Sequence, residues 1–166
     1  MIGASIELGT QFAMVRYLQW SSAVPMAYKI NSEHKIVIST GNGTLTFAES
    51  LTHQENLRED PNFIPKFSQL MDLTLVTKME LKSDELQRLA AHSVFANDSR
   101  RSFLVSSDLA YGLFRMFQTF RNNEGENGIQ IFRELGPALN WVHLTTSSRE
   151  QIRVSPSNLR ICRSSD

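Results

Sequence analysis

The chain is predicted to fold as an α/β domain: a mixed, mostly parallel β-sheet with an N-terminal hairpin and helices packed on its faces, in the order β-β-α-β-α-β-α-β-α. Three observations predict it. Short apolar runs alternate with amphipathic helical stretches from residue 46 onward, the pattern of strand and crossover-helix units. Two β-prone runs flank Asn31-Ser32-Glu33-His34 and read as a hairpin. Gln69 to Leu73 is mostly apolar without alternation, which suits a strand buried on both faces in the middle of a parallel sheet.

Taken in order, the hairpin strands are Ala27 to Ile30 and Lys35 to Ser39, and Gly41-Asn42-Gly43 is expected to end the second. The single GxG lacks the further glycine and the lysine of a phosphate loop, so it reads as a turn. Thr46 with Glu49 three residues on is a capping-box pattern, opening a helix that runs to about Arg58 and whose apolar pattern fades into a wetted second half. Asp60-Pro61 and Ile64-Pro65 mark a loop, which Phe63 and Phe67 pin to the core. The central strand then delivers Asp72 to a Thr-rich turn, Thr74 to Thr77.

Ser83 is expected to cap the next helix, with Asp84 and Glu85 in its first turn matching the dipole and Leu86, Leu89, Ala90 and Val94 as its apolar face. Ser102 to Val105 is a short strand, followed by a helix whose core stripe reads Leu109, Leu113, Met116, Phe117 and Phe120. Asn122 to Gly128 is a turn and Ile129 to Phe132 the last strand. A final helix has Pro137 in its first turn and Leu135, Leu139, Trp141 and Val142 as apolar positions.

The chain has 166 residues, 41% hydrophobic and 20% charged, which bounds it to about one globular domain, residues 26 to 144. Residues 1 to 25 read as a poorly ordered extension or a short helix, with Leu8, Phe12, Val15 and Leu18 near one face. Residues 145 to 166, rich in Thr, Ser and Arg, read as a flexible tail to which Gln151 to Val154 can add an edge strand. Lys plus Arg equals Asp plus Glu at 17 each, so no global field recruits nucleic acid. No stretch approaches the roughly 18 apolar residues of a membrane span. Cys162 cannot form an internal disulfide, which suggests a reducing, cytoplasmic setting.

Catalytic chemistry is not expected. His34, His53, His92 and His143 show no metal-ligand spacing and read as surface residues, and no nucleophile elbow occurs. Neither a metal nor a cofactor is therefore predicted. Sites are sought on the carboxyl-end rim of the sheet, where open α/β folds bind ligands. That rim comprises Asp72, Thr74, Thr77 and Ser83 with Ser106, Ser107, Asp108, Tyr111 and Arg115. Asp72 and Asp108 sit at neighbouring strand ends, although Asp108 is read first as a helix cap. Tyr111 and Arg115 lie one turn apart and offer a surface contact for an anionic ligand or partner, or simply solvate the helix.

With LMDLTLVT at 70 to 77, FLVSSDLAYGLFRMFQTF at 103 to 120 and IQIFRELGPALNWV at 129 to 142, residues 26 to 144 resemble the STAS superfamily, specifically the bacterial group similar to sporulation anti-sigma-factor antagonists. More loosely they resemble the lipid-binding CRAL-TRIO fold. The first resemblance implies a non-enzymatic regulatory or protein-interaction module of bacterial signalling type, with a regulatory protein partner or a homodimer. The second implies a carrier of an apolar or lipid-like small molecule held between sheet and helices. Antagonists of this group carry a phosphorylated serine in an Asp-Ser-Ser-Gly turn. This chain reads Glu80-Leu81-Lys82-Ser83 instead, leaving Ser83 as the possible phosphoacceptor, next to Asp84 and Glu85, which oppose a phosphate.

Overall fold

The computed structural model describes residues 25–144 and 160–161. Strand β1 (Met26–Asn31) turns back into β2 (Ile36–Thr46), with Lys35 in the left-handed region at φ 51° and Asn31 Oδ1 accepting from His34 N at 2.9 Å. Helix α1 (Phe47–Glu59) follows directly, then β3 (Ser68–Glu80), α2 (Ser83–Ala91), β4 (Arg101–Leu104), α3 (Asp108–Asn123), β5 (Ile129–Phe132), α4 (Leu135–Trp141) and β6 (Arg160–Ile161). The sheet order is β5-β4-β3-β2-β1-β6. The β1–β2 and β1–β6 pairs are antiparallel and the other three parallel, as the sequence predicts for a mixed, mostly parallel sheet.

Helices α1, α2 and α3 cover one face, packing Leu86, Leu89, Phe114 and Phe117 against Met71, Leu73 and Phe103 of the sheet. The short α4 covers the other, with Ala138 and Leu139 over Ile36, Ile38, Leu70 and Leu104. A smaller cluster seats Leu57 of α1 with Tyr28, Val37, Phe67 and Phe95, and half-buried Phe63 meets Phe95 edge-on, so the 60–67 loop is pinned as expected. The capping box of α1 is present: Thr46 Oγ1 accepts from Glu49 N, and Glu49 Oε2 accepts from Thr46 N at 2.8 Å.

Several expectations are corrected. Gly41-Asn42-Gly43 does not end β2. The strand runs on to Thr46 through register shifts between Thr40 and Asn42 and between Gly43 and Thr44. Each shift adds one residue to β3, opposite the glycine segment of β2: Gly43 adopts φ 69°, and a Cβ on Gly41 would lie 2.6 Å from Leu73 Cδ2. Thr74 to Thr77 is likewise not a turn but part of β3, which continues to Glu80 alongside β2.

The second half of α1 is not its wetted end, because its buried residues are His53 and Leu57. The stripe on α3 is rotated from the predicted one. Ala110, Phe114, Phe117, Gln118 and Arg121 are buried, whereas Leu109 is 60% and Met116 38% exposed. Helix α2 stops at Ala91, short of Val94. Residues 160 and 161, within the predicted flexible tail, form the edge strand on β1. The readings made on residues 1–24, on Gln151 to Val154 and on Cys162 lie outside the described residues.

Candidate functional site

β3 is the element that shapes the rim. It pairs with β2 over its whole length, from Ser68 to Glu80, but with β4 only from Gln69 to Asp72. Beyond Asp72 the β2–β3 pair therefore projects as a two-stranded arm. Among the described residues no strand pairs with the other side of β3 from Leu73 to Glu80; Thr74 N and O are engaged by Asp72 and Ser106, and beyond Thr74 this edge leaves backbone donors and acceptors without a strand partner.

The predicted rim residues distribute around the base and flank of this arm. Asp72 Oδ1 accepts from Thr74 N at 3.0 Å and Thr74 Oγ1 at 2.7 Å, a local bond that stiffens the point where β3 leaves the sheet. Ser106 Oγ donates to Thr74 O at 3.4 Å, and Thr77 Oγ1 donates to Gly43 O at 3.3 Å. The first bond ties the loop after β4 to the arm, and the second joins the arm's two strands. Between them stands Leu75, 62% exposed, while Val76 and Met79 are half-buried against the core.

The cap of α3 is Ser107, whose Oγ accepts from Ala110 N at 3.1 Å, and not Asp108 as expected. Asp108 occupies the first turn and pairs with Arg133. The Arg133 guanidinium also lies 4.9 Å from the centre of the Tyr111 ring. Tyr111 is thus joined to Arg133, a residue the sequence reading missed, and not to Arg115, which donates to Gln118 Oε1 at 2.7 Å. Asp72 and Asp108 are engaged separately, on Thr74 and Arg133, and form no acid–base pair.

Ser83 is not the cap of α2. Lys82 holds that position, and Glu85 Oε2 accepts from Lys82 N at 2.8 Å. Ser83 is exposed, with its Oγ 3.2 Å from Met116 Sδ. The Glu85 carboxylate thus already serves the start of this helix. Near the arm's tip Lys78 pairs with Glu80, whose carboxylate raises the Lys78 pKa. An open surface hollow lies there, between the starts of α1 and α2, lined by Thr46, Phe47, Met79 and Lys82.

Beneath the rim the core holds a polar chain that sequence reasoning also missed. Glu126, fully buried, lies 2.6 Å from Arg121 Nε and 3.2 Å from Arg101 Nη1. Arg101 Nε donates to Gln69 Oε1, Gln69 Nε2 to Ser39 Oγ, and Ser39 Oγ lies 2.9 Å from His53 Nε2. His53 is therefore not a surface residue. It sits edge-on to Tyr28, and burial, with the charge of Arg101 second, lowers its pKa to about 3. Burial also lowers the Arg101 pKa, against an upward pull from Glu126. Arg101 follows Arg100, and Glu126 lies in the polar Asn122 to Gly128 segment, so nothing local distinguishes this buried ion triad from surface charges in the sequence.

Space inside this core is small. A cavity among the core side chains is about 40 Å³ and is bordered by Phe114 and Phe117 but not Met116. Among the described residues no cluster of three or more His, Cys, Asp or Glu side chains is placed to hold a metal, and no helix is long and apolar enough to cross a membrane.

Neither a family model nor a curated protein matches the chain. Among solved structures it is similar to an uncharacterised protein of the DUF3478 family from Shewanella loihica PV-4, described as having a SpoIIAA-like fold. The likeness has 17% sequence identity and a TM-score of 0.50, covering 74% of this chain and 97% of that one. The fold is thus SpoIIAA-like, of the STAS type that the sequence resembles.

Proposed function

We propose that the chain is a non-enzymatic protein-interaction module of a regulatory type, whose docking surface is the projecting arm of β3 with the adjoining start of α3. Its partner is a protein that lays an extended segment along the free edge of β3. The observation that carries this reading is the conjunction of a strand edge without a strand partner, exposed Leu75 on that strand and exposed Leu109 in the first turn of α3. Main-chain groups on such an edge supply affinity to an added strand, and alternate apolar side chains supply specificity. The polar groups that frame it, Thr74, Ser106 and the Asp108–Arg133 pair, are held by their own bonds and form a fixed border.

The carrier reading asks for a pocket of roughly 300–1,000 Å³ between sheet and helices; the cavity there is about 40 Å³, and the hollow of about 630 Å³ between the starts of α1 and α2 is open to solvent. The test is photocrosslinking in the host cell. A benzophenone amino acid placed at Leu75, and separately at Leu109, is expected to capture the same protein, and one placed at exposed Glu59 at the far end of α1 is not. No capture from either rim position would overturn the proposal.

A further inference from the structure

The core cavity is lined mostly by apolar side chains, and the wall holds one buried cation, Arg101. We infer that it is a binding site for one small monovalent anion, of the size of chloride or bromide, held against the Arg101 guanidinium. Three observations carry this. First, one carboxylate serves two buried cations: Arg101 is 3%, Arg121 6% and Glu126 0% exposed. Glu126 sits closer to Arg121, and Arg121 has further acceptors in Ala90 O at 2.8 Å and Asn97 Oδ1 at 3.3 Å. Arg101 is left with the longer share of the ion pair and with neutral partners, Gln69 and Ser93.

Second, a guanidinium has five N–H donors. The bonds of Arg101 run from Nε and Nη1, and among the described residues none accepts from Nη2. The faces of Phe95, Phe103 and Phe117 lie 4.5, 5.3 and 5.6 Å from the guanidinium carbon, so beside Gln69, Ser93 and the shared Glu126 its surroundings are rings, with no second carboxylate among the described residues. An under-compensated cation at this depth is costly, and an anion beside it relieves the cost.

Third, there is room next to it. The 40 Å³ cavity is bordered by Arg101, Ser93, His53 and Gln54. At about 10–15 Å³ for each water in this measure, it accommodates one halide and a water. That water has a natural acceptor in Gln54 Oε1, which is buried without a hydrogen-bond partner among the described residues. His53 is neutral above its lowered pKa and so adds no competing charge.

The experiment uses the full chain. At constant ionic strength, sodium bromide is exchanged for sodium gluconate, whose anion is too large for the cavity, and Tm is followed. Bromide is expected to raise Tm by about 3–5 °C for each tenfold increase above its dissociation constant, and Arg101→Met is expected to abolish the rise. Crystals of the unmodified protein grown in bromide decide the matter even if that variant fails to fold. An anomalous bromine peak against the Arg101 guanidinium is expected. A cavity holding only water, or a Tm that follows ionic strength alone, overturns the site.

Discussion

Replacing Glu126 with glutamine keeps the shape of a fully buried side chain and removes the one negative charge between two buried guanidinium groups. Breaking a buried ion pair by deleting one partner typically costs about 3–5 kcal/mol, because the remaining charge is stranded. Arg121 keeps Ala90 O and Asn97 Oδ1, and Arg101 keeps Gln69 and Ser93, so the loss is expected near the lower end of that range. At about 2–4 °C per kcal/mol for a chain of this size, Tm should fall by roughly 6–12 °C. Urea unfolding measures the free energy directly, and an unchanged m-value confines the effect to stability. The control is Asp98→Asn, which breaks a pair with Lys66 whose side chains are 75% and 66% exposed, and should change stability by no more than about 0.5 kcal/mol. A loss below about 1 kcal/mol for Glu126→Gln would refute the argument that this triad is electrostatically coupled in the core.

The lowered pKa of His53 predicts acid sensitivity. Between about 3 and the unfolded value of 6.5 the unfolded chain binds the extra proton. Stability from this group is therefore complete above pH 6.5 and is lost as pH falls towards 3, by at most about 1.4 kcal/mol per pH unit; urea midpoints of wild type and His53→Gln should diverge across that window. Thr46→Ala removes the cap of α1 and should cost about 1 kcal/mol in the same assay. Leu75→Asp and Leu109→Asp change exposed positions and should leave stability within about 0.5 kcal/mol while abolishing partner capture; a large stability loss would mean that the rim is structural.

Much of the fold was legible because its signals are local. The capping box at Thr46, the doubly buried Gln69 to Leu73 and the strand at Ile129 to Phe132 were each written in adjacent residues. The arm was not, because Gly41-Asn42-Gly43 breaks a strand by every local criterion. Only the pairing of β2 with β3, which sets those glycines opposite extra residues in β3, carries both strands on to Thr46 and Glu80. The rim was half legible. Asp72, Thr74, Ser106 and Ser107 do frame it, but its exposed apolar centre, Leu75 and Leu109, was hidden by periodicity that placed Leu109 in the core and by a strand read as ending at Leu73. Arg133 and the Arg101–Glu126–Arg121 triad come together from separate elements, so no spacing along the chain announces them.

Native mass spectrometry of the protein purified from its host tests the central proposal most directly, since it weighs a filled, partner-binding module against a carrier in one spectrum. The account predicts a complex with a second protein and no organic small-molecule mass on the chain, and the complex should disappear in the Leu75→Asp variant. A stoichiometric organic mass that remains bound under native conditions and is released on denaturation would contradict it.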